Sequence, residues 1–246
     1  MSILKGYIAW LVVLSLALPS SFLIEPALGS NTSTTGSSVS YYYAGYYLYA
    51  REVGYGEWGL GGVMGNIYTI SVGILSWPPG YRHFCEWVTI ILKYNPVLYW
   101  IQLGYLKKMY PEYTWDFYLE IRDEYGYRIE FCGPADPVPG VTYRYKIMYY
   151  GGSKYVAEIW RGFNRIWQIV REVSPYVGRD LQAMVETCYD ADLEPDICID
   201  GSHFSELQCI WFYEWEWYYW YTHVTAEDPP YKVEEVSDYE FYASGP

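Results

Sequence analysis

The chain predicts an all-β fold, a sandwich or barrel of many short strands, and three observations carry that expectation. From Tyr41 onward the apolar residues favour a two-residue period, which sends alternate side chains to opposite faces of a strand. The runs are rich in Val, Ile, Tyr, Trp and Thr, types that suit a pleated, half-buried surface. Gly and Pro turns punctuate them at short intervals, as in sandwiches and barrels.

The first segment is of another kind. Lys5 precedes the apolar stretch Tyr7–Leu18, Pro19 breaks it, and the small residues of Ala27-Leu28-Gly29 follow. That is the pattern of a secretory signal peptide, with cleavage expected after Gly29. The alternative is an uncleaved anchor, because Phe22-Leu23-Ile24 brings the run near the ~20 residues that span a bilayer. Pro19 and Glu25 argue against it. Residues 30–40 read as a Ser/Thr-rich linker carrying the sequon Asn31-Thr32-Ser33. No second long apolar run follows, so the expected product has no transmembrane segment after cleavage and is extracellular or on the cell surface. Residues 41–224 are the expected β domain and 225–246 an acidic C-terminal tail.

Within the β domain the strand readings run in order. Ile67–Leu75 ends at Ser76-Trp77-Pro78-Pro79-Gly80, and Glu86–Leu92 and Val97–Tyr105 are parted by Asn95-Pro96. Thr114–Ile121, Tyr127–Phe131, Val141–Tyr150 and Leu181–Tyr189 follow. The last is Ile210–Val224, where Glu214 and Glu216 alternate with Trp215 and Trp217. Val156–Val173 has two readings. Ile159, Phe163, Ile166, Val170 and Val173 recur at helical spacing, but two strands turning at Arg161-Gly162-Phe163-Asn164 fit as well.

Composition removes several function classes. The 29 Asp and Glu against 16 Lys and Arg give a net charge of −13, which repels phosphate backbones and excludes nucleic acid as a partner of a basic surface. Aromatics at 21 % and charged residues at 18 % exclude a disordered chain. The five cysteines Cys85, Cys132, Cys188, Cys198 and Cys209 predict two disulfides and a spare thiol in an exported protein, with Cys198 and Cys209 close enough to staple one loop. No CxxC is present, and His83, His203 and His223 form no short-spaced pair, so neither a metal nor a cofactor is expected. The acidic run Asp190–Asp196 fails the calcium-loop template because Pro195 stands where Gly is needed. It reads as a solvated loop.

Five polar side chains could share a concave sheet. Asp116 and Glu120 lie four apart in TWDFYLEI, on one face and roughly 13 Å apart along a strand. Gln102 shares a face with Trp100 and Gly104, and Gln182 with Glu186. Such a set could hold an acid–base site. The competing reading is that these positions line the solvent side of a half-buried sheet.

The order of segments over residues 66–187 resembles the eqolisins, the secreted glutamic peptidases. Ile67–Pro78 resembles the family strand that ends in Val-Pro, and Glu86-Trp87-Val88 its Trp-Val-Gly-Ile-Asp segment. Ile101-Gln102-Leu103-Gly104 resembles the strand bearing the catalytic Gln, Asp116–Glu120 the Asp-x-Trp-Tyr-Glu segment, and Leu181–Glu186 the Ala-Glu-Trp-Ile-Val-Glu segment. The resemblance implies a two-sheet antiparallel β-sandwich, a lectin-like jelly roll, with a hairpin turning at Gly162. It also implies a carboxylate base on water and a Gln amide for the oxyanion, a division that suits both groups. Here Gln182 stands at the family's catalytic Glu and Ile91 at its Asp. The implied catalytic set is therefore Gln102 and Gln182 with Glu186, or Glu120, as the base. Trp87, Asp116 and Glu120 are the implied substrate-binding residues. The expected function is a secreted acid endopeptidase acting on polypeptides. The alternative is a non-catalytic extracellular sandwich that binds glycans or assembles on the cell surface, suggested by Gln182 and by the aromatic runs Tyr41–Tyr49 and Trp211–Tyr221.

Overall fold

All regular structure in the described residues is β-strand. The computed structural model describes residues 39–49, 59–74, 82–93, 97–110, 114–133, 135–175, 177–190, 193–212 and 214–246. The leader and sequon, most of the 30–40 linker, and the turns at 76–80 and 95–96 lie outside them. Among the described residues, no helix is long and apolar enough to cross a membrane.

The strands, in chain order, begin with β1 (Val39–Tyr49), β2 (Leu60–Tyr68), β3 (Gly73–Ile74), β4 (Arg82–Lys93), β5 (Tyr99–Tyr110) and β6 (Thr114–Asp123). They continue with β7 (Gly126–Cys132), β8 (Thr142–Gly151), β9 (Lys154–Arg161), β10 (Asn164–Glu172) and β11 (Asp180–Asp190). The chain finishes with β12 (Ile197–Cys198), β13 (Ser202–Trp211), β14 (Tyr218–Tyr219), β15 (Val224–Glu227), β16 (Lys232–Ser237) and β17 (Glu240–Ser244). One sheet runs β15-β1-β11-β4-β5-β6-β7, and the other β10-β9-β8-β2-β13-β17-β16 with β14 beside β13. A small pair joins β12 to β3. The fold is the expected two-sheet antiparallel β-sandwich.

Alternation builds the core. From the first sheet Ala44, Tyr46, Val88, Ile90, Leu103, Leu119, Ala183 and Val185 turn toward the second. They meet Val63, Ile67, Tyr145, Ile147, Ala157, Phe204 and Leu207. Phe117 packs edge-on against Tyr143 across the gap, with ring centroids 5.0 Å apart. One carboxyl group lies inside this layer: Glu86 accepts a hydrogen bond from Tyr105 at 2.6 Å. Burial pushes Glu86 up to about 8.

Several elements differ from expectation, each for a physical reason. The 156–173 segment is the β9–β10 hairpin, and Gly162 takes φ +57° at its turn. Its helical spacing is incidental: Ile159 is buried while Phe163, at the tip, is fully exposed. Ile67–Leu75 is not one strand. The chain leaves the ladder after Tyr68, and the amide of Thr69 donates to the Val141 carbonyl instead. Ile210–Val224 is not one strand either. β13 stops at Trp211, a turn brings the Glu214 amide to the Trp211 carbonyl, and Trp215 stands 86 % exposed. The acidic residues 225–246 enter both sheets rather than trailing as a tail: β15 pairs with β1, and the β16–β17 hairpin extends β13, burying Tyr231, Phe241 and Ala243.

The expected disulfides do not form, and all five cysteines are thiols. Bridging needs two Cβ atoms facing each other at about 3.5–4.5 Å. Cys198 sits half-buried on β12 while Cys209 is in the core on β13. Cys85 and Cys188 share a face of neighbouring strands, but their direct cross-strand partners are Glu186 and His83. The acidic loop is not wholly solvated. Asp196 is buried, and both its oxygens accept from Arg82, at 3.0 Å from Nε and 3.0 Å from Nη2.

Candidate active site

Because the strand period is two, the residues between the core positions of β11, β4, β5 and β6 share the opposite face of the first sheet. Ladder register then arranges them in rows. Tyr47, Gln182, Thr89, Gln102 and Glu120 form one row across five strands. The next holds Gly45, Met184, Trp87, Gly104 and Tyr118. Beyond it come Tyr43, Glu186, Cys85, Leu106 and Asp116. Gly104 permits the close approach of β4 and β5, since a Cβ there would fall 2.0 Å from the Glu86 carbonyl oxygen.

Gln102 and Glu120 are each 1 % exposed, which overturns the solvent-side reading. The polar atoms find specific partners. Thr89 donates its hydroxyl to Gln102 Oε1 at 3.2 Å, and Gln102 Nε2 donates to the Tyr118 oxygen at 2.6 Å. A Gln amide has two N–H donors, so one remains beyond that bond. Trp100 Nε1 donates to Glu120 Oε1 at 3.1 Å, while Glu120 Oε2 is buried and has no hydrogen-bond partner. Glu186 Oε1 lies 3.2 Å from His83 Nε2, and Glu186 Oε2 is likewise buried without a partner.

Low polarity around these groups favours their neutral forms. Burial, with the charge of Glu186 added, holds Glu120 well above the ordinary carboxyl range, against the Trp100 hydrogen bond and the charge of Arg122. Burial pushes Glu186 up to about 8, offset in part by Trp87 and Cys85. His83 is held down to about 3 by burial and by Lys108, so its ring stays neutral.

The structure brings Gln102 and Glu120 together as direct cross-strand neighbours. Gln182 lies in the same row but is separated from Gln102 by Thr89, which falls at the Gly of the resembled Trp-Val-Gly-Ile-Asp segment. Trp87 is one row away. Glu186 on β11 and the half-buried Asp116 on β6 share the third row, three strand spacings or about 14 Å apart. Sequence reasoning missed Thr89 and the hydrogen-bonding roles of Trp100 and Tyr118. It also missed His83 and Cys85, although the spacing of His83-Phe84-Cys85 already assigns both to the face of Trp87.

No family model and no curated protein sequence matches the chain. Solved structures do. Scytalido-glutamic peptidase with a peptide-based transition-state analog is similar at a TM-score of 0.57 and 12 % identity, over 85 % of this chain and 100 % of that one. A second structure of that enzyme, with a transition-state analog inhibitor, gives 0.55 and 11 % over the same shares. SCP-B, a member of the eqolisin family in complex with the tripeptide Ala-Ile-His, gives 0.54 and 10 %, again over 85 % and 100 %. The chain therefore shares the fold of these peptidases.

Proposed function

We propose that this sandwich hydrolyses peptide bonds in a polypeptide substrate, with Gln102 stabilising the oxyanion and Glu120 acting as the base. The observation that carries the proposal is the direct pairing of Gln102 with Glu120 across β5 and β6, with one carboxyl oxygen of Glu120 unpartnered. In its ionised form Glu120 takes a proton from water as the water oxygen bonds to the substrate carbonyl carbon. The second N–H of Gln102 meets the negative oxygen that results. Thr89 and Tyr118 hold the amide so that its dipole is already aimed when the charge develops. The protonated Glu120 then gives its proton to the leaving amine as the C–N bond breaks. The fold shared with SCP-B in its tripeptide complex supports an extended peptide as substrate. The Lys5–Gly29 pattern supports an extracellular or cell-surface site of action.

The pH range follows from the direction of the Glu120 shift. A base works when ionised, and Glu120 is held well above 4.5. Activity therefore rises toward neutral pH instead of peaking in the acid range that the resemblance implies. The test is cleavage of a diverse peptide library by purified protein from about pH 4 to about pH 9. Glu120→Gln should lower turnover about 10²–10⁴-fold and Gln102→Ala about 10²–10³-fold. Background cleavage by folded protein across that range rejects the proposal.

One observation favours a second reading, a non-catalytic surface protein. Both ends of the Gln102 amide already hold partners within the sheet face, while Trp215, Tyr219 and Tyr221 stand exposed elsewhere. Exposed aromatic faces of this kind stack on sugars. Glycan-array binding that is lost in Trp215→Ala and kept in Gln102→Ala selects this reading.

A further inference from the structure

Beyond Trp87 the same face gathers an imidazole, a thiol and a carboxyl group that the proposed hydrolysis does not use. His83 and Cys85 are two apart on β4 and so point the same way. Glu186 lies directly opposite Cys85 on β11. All three residues are fully buried, and one ligand atom from each lies within 4.8 Å of the others. We propose that His83, Cys85 and Glu186 bind a zinc-class divalent cation, through the imidazole nitrogen, the thiolate and a carboxylate oxygen.

The spacing suits that ion. Two N or O ligands, each about 2.0–2.1 Å from zinc at a tetrahedral angle, are about 3.4 Å apart. His83 Nε2 and Glu186 Oε1 are 3.2 Å apart. A hydrogen bond between those two atoms would account for the spacing alone. It leaves a buried carboxyl oxygen of Glu186 without a partner and a buried thiol beside it. An unpaired polar atom in an apolar interior costs free energy, and a cation among the three groups removes that cost. The donor set also selects the metal. Thiolate with imidazole favours zinc over magnesium or calcium, which need all-oxygen shells. The bound ion would cross-link β4 to β11.

The test uses the full chain, stripped with a chelator and titrated with Zn²⁺ alone and Co²⁺ alone. One ion per chain should bind, with proton release, a rise in Tm, and a near-ultraviolet thiolate-to-cobalt charge-transfer band. Loss of a metal ligand should cost more than the ~100-fold that loss of an outer-shell partner costs. Cys85→Ser should therefore abolish the band and weaken binding by more than about 100-fold. Glu186→Gln, which keeps the side-chain shape, should weaken binding to the same degree. Cys209→Ser, which removes a thiol from the other sheet, should keep both band and affinity. Three results overturn the proposal: no ion bound by wild-type protein with an intact near-ultraviolet circular dichroism spectrum, cobalt bound without the thiolate band, or a band that survives in folded Cys85→Ser.

Discussion

The buried pair Arg82–Asp196 anchors the 193–199 segment to the first residue of β4, and its strength can be measured directly. The guanidinium and carboxylate meet through two hydrogen bonds of 3.0 Å, with side chains 3 % and 8 % exposed. At an effective dielectric constant near 20, unit charges about 4 Å apart attract by about 4 kcal/mol. Removing one partner leaves the other charged and buried, which costs about 3–5 kcal/mol. Arg82→Met and Asp196→Leu should therefore each lower stability by that amount in urea denaturation. The double variant removes both charges and should lose far less than the sum. The resulting coupling should be about 3 kcal/mol, inside the range of measured contact pairs. Denaturant midpoints for the four proteins, at one pH and ionic strength and with matched m values, give the cycle. A coupling below about 0.5 kcal/mol would refute the reasoning, because solvent-screened surface pairs behave that way.

Other outcomes follow from single positions. Gly104→Ala puts a methyl group 2.0 Å from the Glu86 carbonyl oxygen, so it should destabilise by at least about 1–3 kcal/mol, read from the urea midpoint. Phe163→Ser, at the exposed tip of the β9–β10 hairpin, should change stability by less than about 0.5 kcal/mol, whereas Phe117→Ala in the core should cost about 3–5 kcal/mol. Glu158 gives a pH-dependent case. Burial raises its carboxyl, but Arg165 and Lys146 outweigh that and hold it below the ordinary carboxyl value of 4.5. Its stabilisation is therefore present above 4.5 and disappears as pH falls through the depressed folded value. Urea midpoints of wild type and Glu158→Gln should differ at pH 7 and converge in strong acid, and a constant gap would contradict the assignment.

What could be read from the sequence was whatever depends on local alternation. β8 is a half-buried ladder whose period of two survives in its residues, while β4 and β11 are buried along nearly their whole length and show through as apolar runs between turns. β2 starts earlier than its pattern shows because Gly61, Gly62 and Gly65 carry no side chain to mark a face. The alternating Glu and Trp of 214–217 mimic a strand, yet no neighbouring ladder holds them. The last three strands are hidden by composition, since Glu234 and Glu235 face solvent while the buried share is left to few residues such as Phe241 and Ala243. For the site, Gln102 and Glu120 were recognisable as residues, but their adjacency depends on the β5–β6 register. His83 and Cys85 share a face by spacing alone. Glu186 joins them only through the ladder with β11, about a hundred residues further along, as the separation of 103 between His83 and Glu186 records. Non-local pairing of that kind leaves no local trace.

The pairing of β1 with β15 has a consequence in time. Ala44 takes Glu227 as its cross-strand partner, and the Tyr43 amide donates to Asp228 across 185 residues. A ribosome adds about 5–20 residues per second, so β1 waits roughly ten to forty seconds after its own synthesis before that edge can close. Through that interval a strand rich in tyrosine stands with unpaired amides and carbonyls, a template for other chains. A nascent molecule whose β1 stays covered until Asp228 has emerged avoids offering that template.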